Sequence, residues 1–112
     1  MLVFKIFRRP EWDGLRAAGE TDGAPVDLAD GFIHLSTREQ VAETAAKHFA
    51  GESDLVLVAV ETERLGDALK WEPSRGGALF PHLYRRLSLA DVVWDKSLPL
   101  GATGHIFPEG VV

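Results

Sequence analysis

Apolar residues crowd the first positions of the chain. Leu2 to Phe7 is a run of strand formers broken only by Lys5, and it predicts a strand ending at Arg8 and Arg9. Pro10 suits a first helical turn, Trp12, Leu15 and Arg16 follow at helical spacing, and Gly19 supplies a stop, so a short helix is expected next. Periodicity then lapses. Residues 20–31 hold Gly23, Pro25, Asp27 and the Asp30-Gly31 pair, a composition that predicts a loop, with residues 22–31 a candidate lid. Phe32 to Ser36 regains strand character and runs into Ser36-Thr37-Arg38-Glu39, which matches a capping box, so a helix is expected to start at Ser36. Within it Val41, Ala45, His48 and Phe49 share a face, Glu43 and Lys47 pair on the wetter side, and the end falls near Gly51.

Leu55 to Val60 is an unbroken apolar run between Asp54 and Glu61, the pattern of a strand covered on both faces. Thr62 is placed to cap a short helix carrying Leu65, Ala68 and Leu69, after which Trp71-Glu72-Pro73 is expected to turn the chain into a Ser74–Gly77 loop. Leu79 to Leu87 reads as a strand entered through Pro81, and Val92 to Leu98 as another. Beyond it Pro99, Gly101, Gly104, Pro108 and Gly110 make the tail irregular. There is no internal repeat, low-complexity tract or linker. Strands mixed with a few helices, without strict βαβ alternation, predict one α+β domain over residues 1–112 with a mixed or antiparallel sheet.

Composition narrows the classes of function. With 46% apolar and 26% charged residues in 112, the chain suits one folded core and is too apolar for intrinsic disorder. A net charge of −5 offers no broad positive surface for a long nucleic acid, although a local pocket needs only a few cations and Arg75, Arg85 and Arg86 lie close together. The absence of cysteine removes disulfides, thiolate nucleophiles and thiolate metal sites. The opening apolar run is too short for a signal-peptide core or a membrane span, so a cytoplasmic protein is expected, with no membrane partner.

Strand alternation collects the candidate chemistry. It places Phe32, His34 and Ser36 on one face of the second strand, and Phe80, His82, Tyr84 and Arg86 on one face of the 79–87 strand. If the two strands are neighbours, His34, Ser36, His82 and Tyr84 line one cleft. Imidazoles and hydroxyls there would orient ligand oxygens, and free N–H groups at the start of the helix after Ser36, that of Thr37 among them, would suit an anion. The alternative is structural: satisfied histidines, a capping serine and a core tyrosine. Burial of His34 and Tyr84 without a cavity would favour that alternative. Glu72, forced extended by Pro73, would hold a ribose hydroxyl or stabilise positive charge, or else pair with Arg75. Lys5 would contact a phosphate or simply face solvent, and Arg85 is a further ligand candidate. No G-x-S-x-G elbow or H-x-x-x-H pair occurs, so neither a serine triad nor a metal site is expected. His48 should edge the helix core, and His105 lies in the tail.

Taken together, VFKI near the start, DGFIHLST followed by Gln40-Val41, WE at 71 and 72, and FPHLYR at 80–85 resemble domain of unknown function family 952 over almost the whole chain. No activity accompanies that resemblance. It implies an ADP-ribosyltransferase-like α+β fold, two small sheets flanking a nucleotide cleft, as in toxins and RNA phosphotransferases that use NAD. It also places His34 and Ser36 in a segment similar to the His-x-Ser elements of the RNA 2′-phosphotransferase group, and His82 and Tyr84 in the family's second signature. Transferases of this fold usually engage the nicotinamide ribose through a Glu-x-Glu or Gln-x-Glu pair. Glu72 is the carboxylate taken here as the candidate for that role. Three readings follow: a cleft for NAD or a related nucleotide, catalytic or degenerate; a non-catalytic module for another small anionic metabolite; and a protein-interaction domain.

Overall fold

The computed structural model describes residues 1–111, the side chain of Arg75 excepted. Its first sheet is antiparallel, with strand β1 (Leu2–Arg8) and strand β8 (Val92–Leu98) on either side of β4 (Leu55–Glu61). Residues 55–60 are all buried, as their continuous apolar run requires of a central strand covered on both faces. Alternation sends Val56, Val58 and Val60 into one core with Val3 and Phe7, and Leu55, Leu57 and Ala59 into a second core with Phe4 and Ile6. Helix α1 (Arg9–Ala18) contributes Trp12 and Leu15 to the first core and ends at Gly19.

On the far side of the first core lies a second antiparallel sheet, β3 (Ile33–His34), β6 (Ala78–Leu83) and β5 (Leu69–Ser74), in that spatial order. Ile33 and Leu83 are opposite each other in it and both belong to the first core. The two sheets touch directly where the Phe4 and Ser36 backbones exchange hydrogen bonds of 2.8 and 2.9 Å. Helix α3 (Val41–His48) covers the second core with Val41 and Ala45. Short pairs join β2 (Glu20–Thr21) to β7 (Leu87–Ser88) and β9 (Leu100–Gly101) to β10 (Gly104–His105). All strand pairs among the described residues are antiparallel, so the α+β expectation holds in its antiparallel form.

Several local expectations are corrected. The stretch 20–31 is not a loop: it contains β2 and helix α2 (Pro25–Asp30). Pro25 opens that helix, Asp27 accepts the Ala24 N–H at 2.8 Å, and Gly31 closes it at φ 85°. No helix starts at Ser36. Its backbone is committed to Phe4, the amide of Thr37 donates to Gln40 Oε1 at 3.1 Å, and α3 begins only at Val41. Helix α4 (Thr62–Leu65) is capped by the Glu61 side chain rather than by Thr62, and Leu69 already belongs to β5. Trp71, Glu72 and Pro73 do not turn but lie within β5, an edge strand, where proline's missing N–H leaves no ladder partner unpaired. The strand expected over Leu79–Leu87 is β6 from Ala78 and stops at Leu83. His48, at the end of α3, is exposed rather than set at the edge of the core.

Candidate functional site

Lys5 follows the alternation of β1 inward, on the face of Val3 and Phe7, where a bare ammonium would be costly. A carboxylate meets it there. Lys5 Nζ donates to Asp27 Oδ2 at 2.8 Å, and the two residues are 6% and 1% exposed. Asp27 also receives the backbone N–H of His34 at 3.1 Å and the ring Nδ1 of His34 at 2.6 Å, both on Oδ1. Burial pushes the Asp27 carboxyl up, but the His34 hydrogen bond and the Lys5 charge outweigh it and hold the group at about 2. With Nδ1 tied inward, His34 turns Nε2 toward the surface, where Asp30 Oδ2 lies 2.9 Å away.

Across the ladder, His82 is the register partner of His34, and the two rings meet edge on at 5.5 Å. His82 is buried and its Nδ1 donates to Glu72 Oε1 at 2.8 Å. The Tyr84 hydroxyl donates to the same oxygen at 2.7 Å, which lowers the Glu72 carboxyl and raises the Tyr84 phenol. Phe32 ties the two halves together: its ring stacks on His82 at 4.1 Å and lies 4.6 Å from His34 and 5.3 Å from Tyr84. The result is two imidazole–carboxylate pairs side by side under one aromatic ring, with Tyr84 exposed at the rim.

The strands carrying His34 and His82 are therefore neighbours, and Glu72 joins them from the third strand. Other candidates are held by partners of their own. Lys5 faces no solvent and reaches His34 only through Asp27. The Thr44 hydroxyl donates to the Gln40 carbonyl at 3.1 Å, so buried Ser36 donates to Thr44 Oγ1 at 2.9 Å, away from any rim. Thr37 offers no free N–H, since Gln40 takes it. Arg85 is a clasp, bidentate to Asp91 at 2.8 and 3.1 Å and donating to the carbonyls of Arg64 and Arg86. The expected Glu72–Arg75 pair lies outside the described residues. His105 Nε2 donates to the Glu52 carbonyl at 2.8 Å. Among the described residues no group of three or more His, Asp or Glu is placed to hold a metal ion.

A depression of about 250 Å³ adjoins the face, lined by Leu28, Phe32, Tyr84, Arg85 and Arg86 among others, with neither histidine in its wall. A second, of about 500 Å³, lies against α1, and Asp22 and Arg86 line both. Arg86 is held at this divide by Asp22 at 2.9 Å and Glu20 at 3.0 Å. Sequence reasoning missed Asp27 and Asp30 as site residues. The signal was Lys5 itself: a lysine amid a buried strand needs an acid partner.

Fold and site together define a small antiparallel α+β domain with a paired histidine–carboxylate face. The chain belongs to the family described as protein of unknown function DUF952, whose model matches residues 6–95. It is similar to protein CC0527 from Caulobacter crescentus, a structural-genomics target. The crystal structure of that protein is 57% identical with a TM-score of 0.90, covering 94% of this chain and 92% of that one. Its solution NMR structure is 58% identical with a TM-score of 0.83, covering 93% and 90%. No curated protein matches the chain. No helix among the described residues is long and apolar enough to cross a membrane.

Proposed function

We propose that the face built by β3, β6 and β5 binds a nucleotide or a related small anion, NAD and ADP-ribose being the first to test. The observation that carries this reading is the His34–His82 register pair, each ring oriented by its own carboxylate, with Phe32 and Tyr84 at the mouth. With Nδ1 on Asp27, His34 has Nε2 to offer a phosphate or ribose oxygen in place of Asp30, and the exposed ring of Tyr84 offers a surface on which a base or nicotinamide stacks. Arg85 and Arg86 both line the adjoining depression, each held by carboxylates, and are the cations beside the ligand. Glu72, fixed by His82 and Tyr84, is the carboxylate that would engage a ribose hydroxyl if transfer occurs. Two small antiparallel sheets, in contact at Phe4 and Ser36 and bridged by Lys5, Asp27 and His34, suit an ADP-ribosyltransferase-like or phosphotransferase-like arrangement.

A second reading has one observation in its favour. The adjoining depression, about 250 Å³, falls below the range of roughly 300–1,000 Å³ usual for drug-sized ligands, which suits a smaller anionic metabolite held without chemistry. Thermal unfolding with millimolar NAD, ADP-ribose and inorganic phosphate separates the two. A ligand at one hundred times its dissociation constant adds about 2.7 kcal/mol, roughly ten degrees in a domain of this size. A dose-dependent rise with NAD or ADP-ribose that is reduced in His34→Gln supports the nucleotide reading. A rise with phosphate alone supports the smaller anion, and no rise with any of the three defeats both.

A further inference from the structure

Of the two carboxylates on His34, one is built in and the other is not. Asp27 is buried and held by Lys5, by the Ala24 N–H and by both the backbone and ring of His34. Asp30 is the last residue of α2, its side chain is 47% exposed, and among the described residues His34 is its only partner. Rotation about its side-chain bonds withdraws the carboxylate into water without moving the backbone, whereas Asp27 cannot leave without stranding a buried lysine. The His34 side chain is 33% exposed, and Nε2 is the nitrogen at that opening.

We infer that the anion subsite of this face is the point beside His34 Nε2 that the Asp30 carboxylate now fills, and that a ligand oxyanion binds by taking its place. The inference rests on the reading of the face as an anion or nucleotide site. A carboxylate oxygen at 2.9 Å occupies the position that a phosphate or carboxylate oxygen of a ligand would take, with the same charge and the same acceptor geometry. Asp30 is thus a tethered competitor, present at high effective concentration, and it weakens every anion that must displace it.

The test is a double-mutant cycle on the full chain, with dissociation constants for ADP-ribose, inorganic phosphate and acetate measured by calorimetry in wild type, Asp30→Ala, His34→Gln and the double variant. Asp30→Asn serves as a second removal of charge that keeps the side chain's size. Removing an exposed contact of this kind predicts a gain of up to about five-fold on Asp30→Ala, and that gain should vanish in the His34→Gln background. Tightening for phosphate and ADP-ribose but not acetate assigns the subsite to phosphates, and tightening for all three to oxyanions generally. Wild-type binding with no gain on removing Asp30, or an equal gain in both backgrounds, overturns the inference and leaves the function of the face standing. Failure of every variant to bind any probe overturns both.

Discussion

At the scale of single residues, Asp27 carries the most consequence. Its carboxyl, ordinarily at 3.8, lies at about 2 in the folded chain. A depressed value means that its stabilisation is complete above the unfolded value and is lost as pH falls toward 2, a contribution of about 2 kcal/mol. Urea unfolding between pH 5 and pH 2 should therefore show a steeper loss in wild type than in Lys5→Met/Asp27→Asn, which lacks that proton uptake. Asp27→Asn alone leaves Lys5 buried and unpaired, and it should cost about 3–5 kcal/mol, much of it regained in the double variant. Equal stability of the single and double variants would show that the lysine finds another partner.

Gly23 protects the same carboxylate. It sits at φ 106°, and a Cβ placed there would come within 2.5 Å of Asp27 Oδ2. Gly23→Ala should destabilise the chain by about 2–3 kcal/mol through strained backbone and a displaced Asp27 together. Its unfolding should also lose part of the acid dependence, which a purely local backbone effect would leave untouched.

Among the elements, those with long one-sided or two-sided apolar patterns were legible: β1, α1, β4 and β8 lie where hydrophobic periodicity places them. Helix α2 was not, because six residues are too few to show a period and its Val26 and Leu28 face water. The marks read as turn formers, Pro25 and Gly31, are in fact its two ends. Ser36 misled for a different reason. Its spacing to Glu39 fits a cap, but the pairing with Phe4 is a long-range contact that no local motif records, and it keeps Ser36 extended. The site followed the same division. Alternation grouped His34 with His82 once the strands proved adjacent, whereas the carboxylates serving them come from other elements at distances set only by the fold.

For the whole molecule, β4 is the common wall of both cores, so damage on either of its faces should be felt throughout. Leu57→Ala, on the side of Phe4, should cost about 2–5 kcal/mol. If the chain is one cooperative unit, Trp12 in the first core and Trp94 beside the second report the same loss, and fluorescence and circular dichroism coincide on denaturation. Transitions that separate would divide the two sheets into independent units.

The contacts from Lys5 to Asp27 to His34 begin in one sheet, pass through a helix and end in the other. They form a strut across the molecule, and its outer end is the ring nitrogen at the surface. That outer end is joined through three side chains to the strand beside β4. If a ligand's hold at the rim is carried along this strut, the amides of β1 should slow their exchange with solvent when the face is filled.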